Sequence, residues 1–445
     1  VSDKLKAVFG DPVDEGALRQ INTVLEDERA VAGALMADHH LGYSMPIGGV
    51  VAYEGAISPS GVGFDIACGN KAVRLDVQRS ELGDLKPWMR QIQKNVAFGI
   101  GRKNETPVDD ILFESSTWSD LMVHTDTPSI VTDLREKAIG QLGTVGSGNH
   151  YVDLLEDEEG FLWIACHFGS RGLGHTLATW FLAVAQGGKL GDRMPEREEP
   201  AVLDTNDWTG GLYIRAMELA GQYAYAGRDA VITQVRSLLG NPNVTFEVHN
   251  HHNYAWLEDG LWVVRKGATP LTLEPAFIGG SMGDVSVIVQ GAPDKSLEGG
   301  HIGVEDIGAL ESAPHGAGRV MSRTAAAGKL RKMWQCGNWN CDFPPERTQG
   351  GQSGYPSNHC PRCGQPLRKG RMRDPSTAAV NWDEVRGKLN ERGVVVLGSG
   401  ADEAPEVYKD LLTVIGLHSN IEILHTLQPQ GVVMAGSDTF DPYKD

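Results

Sequence analysis

Two close-spaced cysteine pairs, Cys336-x4-Cys341 and Cys360-x2-Cys363, stand eighteen residues apart in this 445-residue chain. Only Cys68 and Cys166 lie elsewhere, which is too few for a secreted disulfide framework. Paired thiols separated by a loop, with Gly337 and Gly364 each following a cysteine, describe a four-cysteine zinc ribbon. His359 is the alternative fourth ligand. Four thiolates close the shell around a structural Zn2+ and leave no position for a substrate. Residues 329–373 are expected as an insertion. The main body is then 1–328, completed by 374–445.

The insertion is also where positive charge collects. The chain carries a net charge of −18, yet residues 316–373 hold eleven Lys and Arg against only Asp342 and Glu346. One basic segment on an acidic body points to nucleic-acid or nucleotide contact. With 41% hydrophobic and 22% charged residues the rest is ordinary for a globular protein with a substantial core. No run of eighteen apolar residues occurs, and Val1-Ser-Asp-Lys has neither a basic nor an apolar leader region. No membrane partner is expected, and a cytoplasmic location is the default.

Just before the basic segment lies His315-Gly-Ala-Gly-Arg-Val-Met-Ser-Arg323. Gly316 and Gly318 can adopt positive φ and leave backbone N–H groups uncovered, with Ala317 between them. A helix starting here would set Arg319 and Arg323 on one face. An imidazole beside backbone donors and guanidiniums suits phosphate chemistry. A glycine turn with a surface histidine is the competing reading.

Upstream, small-residue turns meet metal-ligating side chains. Gly61-Val-Gly-Phe-Asp65-Ile-Ala-Cys68-Gly69 places a carboxylate and a thiol three residues apart. Gly146-Ser-Gly-Asn149-His150 and the strand end Cys166-His167-Phe-Gly-Ser-Arg171 each offer an imidazole. His249-Asn-His251-His252-Asn253 closes another strand and is the densest ligand cluster. Strand ends that run into glycine turns are where sites gather on such scaffolds. Asp38-His39-His40 offers further ligands, or groups that orient ligands. Arg265-Lys266-Gly267 reads as a basic turn that could face a phosphate, and Gly280-Ser281-Met282-Gly283 through Ser286 as a ligand cradle.

Periodicity predicts helix over residues 1 to about 35, near 80–96, 129–140, 174–190 and 205–240. Strands are predicted at 50–53, 161–167, 244–248, 261–264, 285–289, 393–397 and 431–436, with a turn at Met36–Gly49 and a helix around Tyr408. The class is α+β.

Taken in order, these motifs, with His252-Asn253, Arg265-Lys-Gly-Ala-Thr269 and Asp402-Glu-Ala-Pro-x-x-Tyr408-Lys409, resemble the RtcB family of RNA ligases. The resemblance runs from about Met36 to Gly436 and is broken by the cysteine segment. It implies a single catalytic domain of mixed β-sheets flanked by helices. It also implies joining of RNA 3′-phosphate or 2′,3′-cyclic phosphate ends to 5′-hydroxyl ends, in RNA repair or tRNA splicing, with GTP and two Mn2+ ions. By that resemblance Asp65, Cys68, His150, His167 and His252 hold the manganese ions, Cys68 bridging them, and His315 takes up GMP. Asn149, Asn253, Ser281, Met282, Ser286, Gly316, Ala317, Gly318, Arg319 and Tyr408 surround the guanylate. Asp153 stands where the family usually has a guanine-reading glutamate, and Ala435 where it has a lysine. RNA ends, GTP and an archease-like activator are the implied partners. A metal-dependent phosphoesterase, or a weakened paralogue that binds RNA through the ribbon, are the alternatives.

Overall fold

In the computed structural model, residues 2–192, 199–292, 309–336 and 358–436 are described. Two sheets dominate. The larger has eight strands, with Ala276–Ile278, Ser286–Gly291, Ile421–Gly436, Tyr151–Glu156, Phe161–Phe168, Gly69–Gln78 and Val244–His251 in spatial order, and Val395–Ser399 parallel to Ile421–Gly436. The second sheet orders Leu5–Val8, Ala30–His40, Ile47–Glu54, Leu261–Lys266 and Asn253–Glu258. The mixed helix-and-sheet class expected from the sequence is what the chain adopts.

Local sequence explains the main elements. Phe161–Phe168 is buried at every residue after the first, as a strand covered on both faces must be. The helix Trp208–Leu238 buries Leu212, Ala216, Leu219, Ala220 and Tyr223 along one stripe, at helical spacing. That stripe packs with Arg171–Ala185 and Ser129–Gln141 in one core. Further along the same helix, Val231, Ile232 and Val235 pack on Val73, Leu75 and Ile164 of the large sheet. Truncating a side chain such as Leu212 there is expected to cost about 3 kcal/mol, because the surrounding atoms cannot close the cavity. Among the described residues no helix is long and apolar enough to cross a membrane.

Four expectations fail locally. Residues 1 to about 35 contain one helix, Glu15–Val24, with strands Leu5–Val8 and Ala30–His40 on either side. The Ala-rich run from Ala30 carries strong helix formers, with Leu35 and Met36 among them. It lies between two partner strands, and pairing overrides propensity. Met36 to His40, expected as a turn, ends that strand. The helix after His315 begins only at Arg323, where the Ser322 hydroxyl caps it by accepting from the Ala325 N–H at 3.1 Å. Arg319 instead bridges Tyr408 backbone to backbone, and Tyr408 follows the short turn Pro405–Val407 in an extended conformation.

In the cysteine segment, Leu330–Cys336 pairs antiparallel with Leu367–Arg373 as a separate two-stranded ribbon. Cys336, Cys360 and Cys363 bring their sulfurs within 4.8 Å of one another, and Gly364 turns at φ +73 beside them. Cys341 lies outside the described residues.

Candidate active site

The strand ends converge on one cavity of about 730 Å3. Cys68 sits just before Gly69–Gln78, between the ends of Phe161–Phe168 and Val244–His251. Gly69 is required there, because a Cβ would overlap the Asn250 carbonyl of the neighbouring strand. The Cys68 Sγ lies 3.5 Å from His167 Nε2 and 3.7 Å from His150 Nε2, and His150 Nε2 is 2.9 Å from Asp65 Oδ2. His252 stacks near His167, with ring centroids 5.1 Å apart. Its backbone N–H donates to the Cys68 carbonyl at 2.8 Å. Steps of 82, 17 and 85 positions separate Cys68, His150, His167 and His252 in sequence, and the sheet order joins them.

Two of the three imidazoles have a partner on the far nitrogen. His150 Nδ1 meets the Val145 carbonyl at 3.0 Å, and His167 Nδ1 meets Asn70 Oδ1 at 2.7 Å. With Nδ1–H donated to Asn70, the His167 Nε2 lone pair faces the Cys68 thiol, while His150 Nδ1 also lies 3.1 Å from the Arg171 guanidinium and its Nε2 meets Asp65. The buried His252 Nδ1 has no hydrogen-bond partner. Burial drives His167 and His252 well below the usual imidazole range, so both are neutral and competent to ligate. Burial and the adjacent Asp65 push the Cys68 thiol well up. Against its own burial, Asp65 is held well below the carboxylate range by His150 and Arg171. An orphaned ring nitrogen, neutral imidazoles, a thiol and a carboxylate in one buried cluster fit divalent transition-metal ions, which would supply the positive charge a Cys68 thiolate needs.

His315 stands beside this cluster, its ring centroid 4.8 Å from that of His252. The buried Asp38 accepts from His315 Nδ1 at 2.6 Å and from the His315 backbone N–H at 3.0 Å. Asp38 therefore fixes the ring orientation, and in the neutral ring with Nδ1–H donated to it the lone pair sits on Nε2. Against burial, His315 holds the Asp38 carboxyl below the usual range. Gly318 turns at φ +76 against the Asp38 backbone, where any Cβ would collide with its carbonyl. Asp38 was legible only as one member of Asp38-His39-His40. His39 Nε2 accepts from the Asp14 N–H at 2.8 Å, and His40 Nδ1 contacts the Asp38 carbonyl at 3.1 Å, so neither histidine joins the ligand cluster.

Other expected residues divide clearly. Asn149, Asp153, Asn253, Ser281, Met282, Gly316, Ala317, Gly318, Arg319 and Tyr408 line the cavity. Ser286 stands behind the wall, its hydroxyl accepting from the Gly280 N–H at 3.0 Å and closing the Ser281 loop. Asp153 is buried, one carboxyl oxygen unpartnered, and burial holds its carboxyl well above the ordinary range. Strand alternation splits the histidine-rich run. His249 and His251 accept from the fully buried Arg228, each at 2.9 Å, and only His252 reaches the cavity. Arg265, expected to face a phosphate, points the other way and forks onto Glu258 at 2.6 and 2.9 Å. Lys266 faces the cavity, pushed down to about 8 by burial. Arg319 and Arg323 both meet Glu403, which also receives the Tyr408 hydroxyl. Glu403 thus neutralises much of the guanidinium charge that the sequence offered to phosphate. Its place in Asp402-Glu-Ala-Pro was visible, its partners were not.

Comparison with known proteins identifies the family. The family model described as tRNA-splicing ligase RtcB matches residues 20–336 and stops where the cysteine segment begins. The tRNA-splicing ligase RtcB of Archaeoglobus fulgidus is 33% identical over 376 residues, covering 68% of this chain and 75% of its own length. That of Thermococcus kodakarensis is 32% identical over 371 residues, covering 67% and 74%. The RNA-splicing ligase RtcB of Escherichia coli K12 is 32% identical over 346 residues, covering 71% and 81%. The chain belongs to the RtcB family of RNA ligases.

Proposed function

We propose that this protein joins RNA ends bearing a 3′-phosphate or 2′,3′-cyclic phosphate to 5′-hydroxyl ends, using GTP and two manganese ions, through GMP carried on His315. His315 Nε2 attacks the α-phosphorus of GTP; the phosphorus–nitrogen bond forms as the bond to the β-phosphate oxygen breaks, and pyrophosphate leaves with the electron pair. An oxygen of the RNA 3′-phosphate then attacks the same phosphorus and releases the imidazole, giving a phosphoanhydride. The 5′-hydroxyl attacks the RNA phosphorus, loses its proton and expels GMP. A cyclic phosphate is first opened by water to the 3′-phosphate. Metal ions held by Asp65, Cys68, His150, His167 and His252 would neutralise phosphate charge.

The observation that carries this reading is the Asp38–His315 pair. It leaves a nucleophilic lone pair beside a metal-type cluster without spending that imidazole on a metal. The Nδ1–H···carboxylate bond orients the ring and stabilises the charge that develops on it during attack. A phosphoesterase that activates water on the ions has no use for such a pair. Asp153 would meet the guanine edge, and the loop closed by Ser286 would cradle the nucleotide. A structural Zn2+ held by Cys336, Cys341, Cys360 and Cys363, an archease-like activator and a cytoplasmic location belong to the same reading.

The test is incubation with α-labelled GTP and Mn2+, followed by a search for a protein adduct labile in acid and stable in base. Wild type is expected to form it and His315→Ala is not. An equal adduct in both, or none in wild type, overturns the mechanism. Labelled ATP in parallel reads the base choice that Asp153 and Ala435 permit.

A further inference from the structure

The cysteine ribbon carries cations that no part of the catalytic reading uses. In its register Lys332 stands opposite Arg371 and Trp334 opposite Lys369. Directly opposed residues share a face, and residues two apart on a strand return to it, so these four side chains form one surface. Lys332, Lys369 and Arg371 are exposed. Lys369 Nζ lies 5.7 Å from the centre of the Trp334 ring. Met333, on the opposite face, is buried, which directs the basic face outward. Cationic side chains flanking an aromatic ring are what a stacking platform for single-stranded nucleic acid requires. Two strand residues advance about 7 Å, so the patch matches one or two nucleotides.

The ribbon is tied to the cavity. Its base is held by Arg373, which donates to Thr324 Oγ1 at 3.2 Å and to the Gly328 carbonyl at 3.1 Å. Thr324 lies in the helix Arg323–Ala327, and Ser322 and Arg323 line the cavity. Charge favours the same occupant. The body is acidic outside this segment, so an acidic polymer held here is attracted locally and repelled elsewhere.

We infer that Lys332, Trp334, Lys369 and Arg371 form a binding site for single-stranded RNA leading to the end that is joined, separate from the nucleotide cavity. The inference rests on the RNA-ligase reading. It predicts that the ribbon sets how tightly RNA is held and does not affect GMP uptake.

The experiment measures binding of a fluorescent 3′-phosphate oligoribonucleotide by anisotropy across a salt series, with the full chain. Trp334→Ala is expected to weaken binding about tenfold, and Trp334→Phe to keep most of it. The triple change Lys332→Ser, Lys369→Ser, Arg371→Ser is expected to lower the slope of log affinity against log salt by about 2. In ligation the triple variant should raise KM for a long RNA and leave kcat unchanged, while a substrate trimmed to a few nucleotides at its end shows no KM difference. Adduct formation with labelled GTP, without RNA, should match wild type. Wild-type affinity and salt slope in the triple variant, or an equal KM rise with the trimmed substrate, would overturn the site. A triple variant that bound double-stranded RNA alone less well would also overturn it. Failure of wild type to ligate any RNA would instead sink the ligase reading.

Discussion

The cavity and the cysteine ribbon both gather thiols and cations, by opposite means. At the cavity, Cys68, His150, His167, His252 and His315 arrive from five separated segments, and His150, His167 and His315 each have a partner on Nδ1. Burial there is deep enough to drive histidines well down and a thiol well up. In the ribbon the sulfurs come from one short stretch, and Lys332, Lys369 and Arg371 are exposed to solvent. Chemistry needs a dry, preorganised setting, because a lone pair is useful only if its direction is fixed before substrate arrives. Contact with a long flexible polymer needs reach and charge, which a thin ribbon supplies without a core.

The comparison can be broken at several points. The largest effect is expected from His315→Ala, with complete loss of the acid-labile adduct. Asp38→Asn should come next, lowering the rate of adduct formation by on the order of 10³-fold, since an amide NH2 facing Nδ1 would move the proton to Nε2 and occupy the lone pair. A single-turnover rate near wild type would show that Asp38 is only structural. Asn70→Ala, which frees His167 Nδ1, should weaken divalent-metal binding about 10–100-fold by calorimetry, with the thermal midpoint of the metal-free protein little changed. Equal affinity would mean that the strands alone orient that ring.

Smaller effects sharpen the contrast. Cys360→Ser, or removal of zinc, should weaken RNA binding and leave adduct formation intact; loss of the adduct in a folded variant would make the ribbon part of the cavity. The smallest effect concerns Asp153. Its buried carboxyl is held above its unfolded value, so the folded protein keeps a proton that the unfolded chain has released, and stability falls as pH rises through that interval. Asp153→Asn has no such proton. Its thermal midpoint should gain on wild type between pH 5 and pH 8, and a constant difference would show that Asp153 is ionised in the folded protein.

Much of the site was legible because its residues sit in local patterns. Asp65 and Cys68 in a glycine turn, His167 at a strand end and the small-residue loop after His315 can be read without knowing what they meet. The two cysteine pairs are equally local. The strand Ala30–His40 was not legible, because its composition favours helix and only its neighbours make it a strand.

The sequence by itself determined the class, the types of candidate ligand and the basic cysteine-bearing segment. Each follows from composition or from spacing within a few residues. Tertiary structure alone decided direction and partnership. Alternation says that Arg265 and Lys266 point apart, and that His251 and His252 do too, but not which of each pair meets the cavity. Asp38 holds His315 across 277 residues, and Glu403 draws in Arg319 and Arg323 from about 80 residues away. Those partners are chosen by burial, since a charge removed from water must find its counter-charge wherever the fold brings one.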